Sequence, residues 1–434
     1  MADRSPRTRL EQLLFARNLS LIDFVDQFSE RANDAGIRAH TSERSAKRWL
    51  RGDPGSPRAE SRRVLEYWFD EPTEELLGPP KAEVASHRMS PRSEQELMVN
   101  AARESSEHAI ESSSAIDPSA LEQLHAAAGQ AARDYYVTPP LTMLTDLLQQ
   151  RDMIYKQLDR THKPRQQAEL YLLAGQVCGL LSSVSWDLGN ADVAEEQARA
   201  AYTYGSIIDH PSLRAWARAL QVTVALWCRP RRAVGIAEGA LEDAPAGTAS
   251  ARLHSVHARA LALSGARDEA QSALDAATIE LDRAGDDRFL DEVGGELAFD
   301  RSRAALCGGA VYVALGDGRR AETEASRAIA LFGQMPKERR WGAGALGAQV
   351  DLATARTLHG NLAGAQDALV PVFALEPARR TEAITQRLSA LGRMLGQTRY
   401  RGAIEAAHIG EDIEDFTAAS LARMTARPAL PSGN

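Results

Sequence analysis

The sequence repeats itself, and the repeat limits what the chain can become. Glycine, four residues, alanine, six residues and alanine recur at Gly189-Ala194-Ala201, Gly265-Ala270-Ala277 and Gly316-Ala321-Ala328. Two degenerate copies, Cys228-Ala233-Ala240 and Gly360-Ala365-Val372, extend the series. A glycine ends one helix where φ > 0 is needed, and small residues seven apart let the next helix approach its partner closely. Such a chain buries its apolar faces by stacking helix on helix. Elsewhere apolar residues recur at threes and fours, as in Leu170, Ala174, Val177, Leu181, Val184 and Leu188, which form one stripe on one helical face. β-Branched runs of period two do not appear. The fold class predicted is all-α.

The motif resembles the tetratricopeptide repeat (TPR), a helix pair with Gly or Ala inside the first helix and two alanines marking the second. Gly309 stands at the internal small position of the fourth unit, and Ser182, Gln221 and Ala258 stand there in others. The alanines at 194, 233, 270, 321 and 365 are 39, 37, 51 and 44 residues apart. Those spacings exceed the usual 34 or so of that repeat, so a HEAT-like or generic helical-pair reading stays open. The resemblance implies a C-terminal α-solenoid of TPR-like helical pairs over 117–426, capped by helices near Pro118 to Tyr136 and Leu141 to Asp159.

Composition draws a boundary ahead of that region. Alanine occurs 9 times in the first hundred residues and 66 times afterwards. Residues 1–69 carry 13 basic and 10 acidic side chains, net +3, in a chain of net charge −8, so the remainder carries −11. A small basic head, 1–69, therefore precedes a large acidic body, and the N-terminal domain it opens is expected over 1–78. Between them, 79–116 is rich in Ser, Glu, His and Pro and reads as a linker with one helix near Glu94 to Ala109. Residues 427–434 read as a disordered tail.

In the head, helices are expected from Leu10 to Asn18, from Ser20 through Ala32, after Thr41 as far as Gly52, and from Ala59 to Phe69. On a wheel centred on Ala46, Trp49 and Leu50 fall within about 60°, while Arg44, Lys47, Arg48 and Arg51 cluster between about 100° and 200°. Arg38 to Arg63 holds eight basic and three acidic residues, a local excess of cations suited to phosphate contact. Trp49 and Trp68 sit on apolar faces and are expected in the core.

The segment Thr41-Ser-Glu-Arg-Ser-Ala-Lys-Arg-Trp-Leu-Arg-Gly52 resembles the recognition-helix segment of Xre/lambda-repressor-like helix-turn-helix proteins. Pro57, Arg62-Arg63-Val64-Leu65-Glu66 and Pro72-x-x-Glu75-Leu76 are similar to the version in large actinobacterial regulators, which carry a C-terminal repeat region. The resemblance implies a small N-terminal helix-turn-helix domain binding double-stranded DNA. It places the Ser42 to Lys47 side, including Ser45, in the major groove, with Arg44 and Lys47 near base edges and Arg48 and Arg51 near phosphates. Arg7, Arg9, Arg58, Arg62 and Arg63 are further phosphate candidates. The connection from Asn33 to His40 is longer than the tight turn of the simplest members.

Helical-pair solenoids bind peptides or small ligands on the inner surface formed by the first helix of each pair. The repeat register places Trp186, Arg218, Arg252, Arg259 and Arg303 there, a set suited to a carboxylate, a phosphate or an acidic peptide. Trp216, Trp227 and Trp341 are expected to serve packing.

No catalytic constellation is legible, and no cofactor is expected. His254 and His257, three apart, lack the Cys or carboxylate companions of a metal site. Gly308-Gly309 and Gly294-Gly295 are not followed by the Lys-Ser/Thr of a P-loop. Asp291-Glu292 and Glu411-Asp412 are ordinary helix-surface pairs. Three separated cysteines, Cys178, Cys228 and Cys307, argue against a disulfide framework and for a reducing cytoplasm. No membrane span is expected. The leading reading is a cytoplasmic transcriptional regulator, a homodimer on general grounds, whose repeats bind a peptide, protein or small molecule. The alternative is an interaction adaptor without specific DNA binding.

Overall fold

A computed structural model describes residues 6–17, 19–53, 57–81, 98 and 116–426, and every regular element among them is helical. The chain divides into two compact units, Met1–Ala102 and Arg103–Asn434. The helix expected near 94–109 (Met98 apart), most of the linker and the tail 427–434 lie outside the described residues.

The first unit holds α1 (Arg9–Ala16), α2 (Leu21–Asp34), α3 (Glu43–Arg51), α4 (Ala59–Phe69) and the one-turn α5 (Thr73–Leu76). Short polar residues set the helix starts. Thr8 caps α1, Ser20 and Asp23 form a reciprocal capping box on α2, and Ser42 caps α3 by accepting from the Ser45 N–H. Each such cap contributes about 1 kcal/mol. Gly52, at φ 69°, ends α3. Leu10, Phe24, Phe28, Ala46, Val64 and Leu65 are fully buried. Trp68 stacks on Phe24 with ring planes 8° apart, and Trp49 is buried against Phe28.

The second unit runs through α6 (Pro118–Asp134), α7 (Pro140–Leu158), α8 (Pro164–Asp187), α9 (Ala191–Ile207), α10 (Pro211–Ala225), α11 (Pro230–Leu241), α12 (Thr248–Leu263) and α13 (Arg267–Leu281). It continues through α14 (Arg301–Ala314), α15 (Gly318–Gln334), α16 (Gly342–Leu358), α17 (Leu362–Phe373), α18 (Glu382–Leu395), α19 (Ile404–Ala418) and α20 (Leu421–Ala426). From α6 to α13 and from α14 to α18, most helices pack on the next in sequence, and α8, α10, α12, α14, α16 and α18 also pack each on the next, forming one continuous layer. The repeat explains this arrangement. Gly189, Gly265, Gly316 and Gly360 all have φ between 69° and 84° at helix ends. Ala194, Ala201, Ala270, Ala277, Ala321 and Ala328 are buried. The Ser182 hydroxyl donates to the Ala194 carbonyl at 2.7 Å, tying α8 to α9 at the internal small position.

By length and composition alone, α8 could cross a membrane, but 72% of its most apolar window is buried within the unit. It is a core helix, and it also receives the far end of the unit. α18 packs on α8, the Arg379 guanidinium donates to the Val137 carbonyl at 2.8 Å, and Leu421 joins the core around α8.

The 51-residue spacing has a structural cause. Residues 282–300, between α13 and α14, form a π-helical turn (Arg288–Glu292) and a 3-10 turn (Gly295–Leu297). This strap lies on α6, α10 and α12 rather than looping outward.

Candidate functional site

Two places concentrate chemistry, one in each unit. In the first, α3 divides as its wheel predicts. Ala46 and Trp49 are buried, while Arg44, Lys47, Arg48 and Arg51 are exposed. Lys47 pairs with Glu43 at 3.1 Å, an exposed i,i+4 pair that contributes about 0.5 kcal/mol and gives way readily to a phosphate. Ser42 is exposed and engaged in the cap, and its hydroxyl lies 3.2 Å from that of half-buried Ser45. Arg63 is exposed, and half-buried Arg62 lies 3.6 Å from Glu74. Arg9 is less suited to phosphate than its charge implies, because its guanidinium is half-buried and bound to Glu71 at 2.8 Å.

In the second unit, the strap builds a cavity. Asp287 caps its π turn by accepting from the Phe289 and Leu290 N–H groups, and it also accepts from the Ser212 hydroxyl. Asp291 accepts from the Thr248 hydroxyl and from the Gly285 N–H. Phe289, Leu290 and Leu297 are buried and anchor the strap. The Arg252 guanidinium then grips its far end, donating to the carbonyls of Glu296, Leu297 and Ala298 at 3.1, 2.7 and 2.7 Å. Tyr136 donates to the Gly295 carbonyl at 2.6 Å. These bonds aim the Glu296 side chain inward.

The cavity under the strap offers about 130 Å³ in which the centre of a water molecule can sit. Its walls come from α8 (Ser183, Trp186, Asp187), α10 (Thr223, Val224), α12 (Arg252, Arg259), α14 (Arg303, Cys307) and α18 (Arg387), with Trp227, Trp341, Tyr135 and the strap's Glu296 and Phe299. Asp300 caps α14 by accepting from the Ser302 and Arg303 N–H groups. Arg303 pairs with Glu296 at 3.0 Å and lies against the rings of Trp341 and Tyr136, 4.8 and 5.3 Å from their centres. Ser183 donates to Glu296 at 3.1 Å, and Tyr135 donates to Asp187 at 2.8 Å. Arg387 pairs with buried Asp351 at 3.3 Å. Arg259, with the Cys307 sulfur and Arg387 as neighbours, makes no ion pair among the described residues.

Burial dominates the protonation of this cluster. It pushes the carboxyls of Glu296 and Asp187 up to about 7 each, against the pull of Arg252 on the first and the Tyr135 hydroxyl on the second. It draws Arg303 down to about 10 and lowers Arg252 and Arg259, the latter further through the like charge of Arg387. It raises the Cys307 thiol, opposed by the surrounding arginines, which leaves that sulfur protonated at neutral pH. Four guanidinium groups thus face two carboxyls that are partly protonated near neutrality, and the cavity is electropositive.

The structure brings Trp186, Arg252, Arg259 and Arg303 to this one cavity. Arg218 is elsewhere: its guanidinium lies 3.7 Å from the centre of the Tyr202 ring, in a separate groove between α9, α10 and α11. Trp216 is fully buried and serves packing, whereas Trp227 and Trp341 are half-buried cavity walls rather than packing residues alone. Asp187, Glu296, Phe299 and Arg387 are wall residues that the repeat register does not reach. The one signal in the sequence that could have found the strap, which carries two of them, is the 51-residue spacing. Among the described residues no group of three or more His, Cys, Asp or Glu side chains is placed to hold a metal. Against known proteins, the chain matches no family model and no curated protein.

Proposed function

We propose that the protein is a sequence-specific, DNA-binding transcriptional regulator. In this reading the first unit is an Xre-like helix-turn-helix domain and the second a TPR-like solenoid that binds a partner, peptide or small ligand, dimerises, or does both. The observation that carries the reading is the division of α3, with Ala46 and Trp49 in the core and Arg44, Lys47, Arg48 and Arg51 on the open face. A short helix anchored on one side and cationic on the other has the build of a major-groove reader. The +3 charge of residues 1–69, within a chain of net charge −8, concentrates cations around α3 and favours phosphate there. Ligand control would follow if the cavity favours one arrangement of the second unit, with DNA affinity shifting by the ligand's differential affinity for the two states.

The test is genome-wide occupancy of the intact protein beside an Arg44→Ala, Lys47→Ala, Arg48→Ala triple variant, followed by a salt titration on recovered sites. The expected result is discrete peaks sharing one motif, lost in the variant. Equal occupancy by both proteins, or no peaks at matched expression with the head folded, would overturn the reading in favour of an interaction adaptor.

A further inference from the structure

We propose that the cavity beneath the strap binds a small organic monoacid, with its carboxylate against Arg259 and its apolar body on the Trp186–Val224–Trp227 wall. This names the ligand class for the input proposed above and rests on that reading for its regulatory meaning, though not for binding itself.

Charge bookkeeping within the cavity carries the argument. Arg303 is matched by Glu296 and Arg387 by Asp351, while Arg252 spends its terminal nitrogen on three carbonyls. Among the described residues Arg259 alone of the four has neither an ion pair nor a backbone carbonyl; the repulsion of Arg387 acts on it against the weaker attraction of the Cys307 sulfur and of Asp351. A half-buried guanidinium in that position is costly unless an anion joins it. The Nε of Arg252, a residue only 6% exposed, also has no hydrogen-bond acceptor among the described residues.

The aromatic part of the lining has the other half of the chemistry. Trp186 and Val224 are buried together with Trp227 packed on them, an apolar face with no charge to satisfy. One guanidinium with neither carboxylate nor carbonyl partner and one aromatic wall call for a single carboxylate on an apolar body. Glu296 selects against a second negative charge on the ligand, and the four arginines select against a cation.

The experiment follows the tryptophan fluorescence of the full chain, without DNA, on titration with 4-phenylbutyrate, 4-phenylbutanol and butyrate. Saturable quenching by 4-phenylbutyrate is expected, with the other two binding at least about ten-fold more weakly. Arg259→Gln should lose about ten-fold in affinity for the acid with its melting midpoint no lower than the parent's, and Arg259→Lys, which keeps the charge without the planar fork, should lose less. Equal binding of the alcohol, wild-type affinity in Arg259→Gln, or no saturation by any probe would overturn the proposal. The titration contains no DNA, so intact acid binding alongside absent DNA occupancy would sink the regulator and leave this site standing.

Discussion

The indole of Trp216 lies across the backbone of Gly179 so closely that a Cβ on that glycine would stand 2.1 Å from the ring. Trp216 is fully buried, and its other side meets Phe289 of the strap edge-on at 6.1 Å, so it has nowhere to retreat. Gly179→Ala gains about 1 kcal/mol of helix propensity. Overpacking outweighs that gain, and a net loss of about 2 kcal/mol is expected as a lower denaturant midpoint. A variant at least as stable as the parent would refute the contact.

Gly295 is held by a second close approach. Its φ is +57°, and a Cβ there would stand 2.1 Å from the Ala132 carbonyl oxygen of α6. Gly295→Ala should lift the strap and cost about 2–3 kcal/mol. Limited proteolysis should then cut within 282–300, while the parent resists; equal resistance would show that the strap seats without this contact.

The Arg303–Glu296 pair is buried on both sides, at 8% and 11% side-chain exposure. At pH 8, where Glu296 is ionised, removing one partner strands the other, so Arg303→Met should cost about 3–5 kcal/mol there, whereas Arg303→Met with Glu296→Leu should recover much of that. Urea melts of the singles and the double close the cycle. Additive losses would mean that the two charges do not interact.

Glu296 and Asp187, both raised to about 7 in the folded state, titrate near 4 when unfolded. Between those values the folded protein holds more protons than the unfolded one, so stability from these groups is full below about pH 4 and lost as pH rises through about 7. The melting midpoint of the parent should therefore fall from pH 5 to pH 8 more than that of Glu296→Gln, which stays neutral throughout. Parallel profiles would remove Glu296 from the account. Glu195, lowered to about 2 chiefly by Arg232, completes its titration below this window.

In the head the two faces of α3 should respond oppositely. Trp49→Ala should cost about 3–5 kcal/mol as a buried aromatic, while Arg44→Ala, exposed on the other face, should leave the midpoint within about 0.5 kcal/mol. Near-ultraviolet circular dichroism during urea titration reads both. A destabilised Arg44→Ala would mean that this arginine holds the fold.

Legibility followed the range of the forces involved. Ser20 with Asp23, Ser42 and Gly52 set helix ends through local hydrogen bonds and backbone strain, so they could be read from the sequence directly. Trp186, Arg252, Arg259 and Arg303 were legible as a group because the repeat register assigns each to the same helical layer. Arg218 follows that register too, yet its long side chain turns to the Tyr202 ring, a choice made by a neighbouring helix. Glu296 and Phe299 were hidden because the strap has no periodicity of its own. Its shape is imposed by Arg252, Tyr136, Ser212 and Thr248, all distant in sequence. Arg387 lies on α18, where the glycine-alanine motif has run out.

An open stack of helix pairs can gain or lose a pair at its end, since each pair touches only its neighbours. The second unit has given up that freedom. With Arg379 bonded to the Val137 carbonyl and Leu421 lodged in the core around α8, its last helices complete the surroundings of its first. The number of pairs is therefore a structural constant of this chain. Duplicating or deleting one would part the Arg379–Val137 seam and carry Arg387 away from Arg259, whereas a change of length within 282–300 would reshape the cavity without reopening the seam.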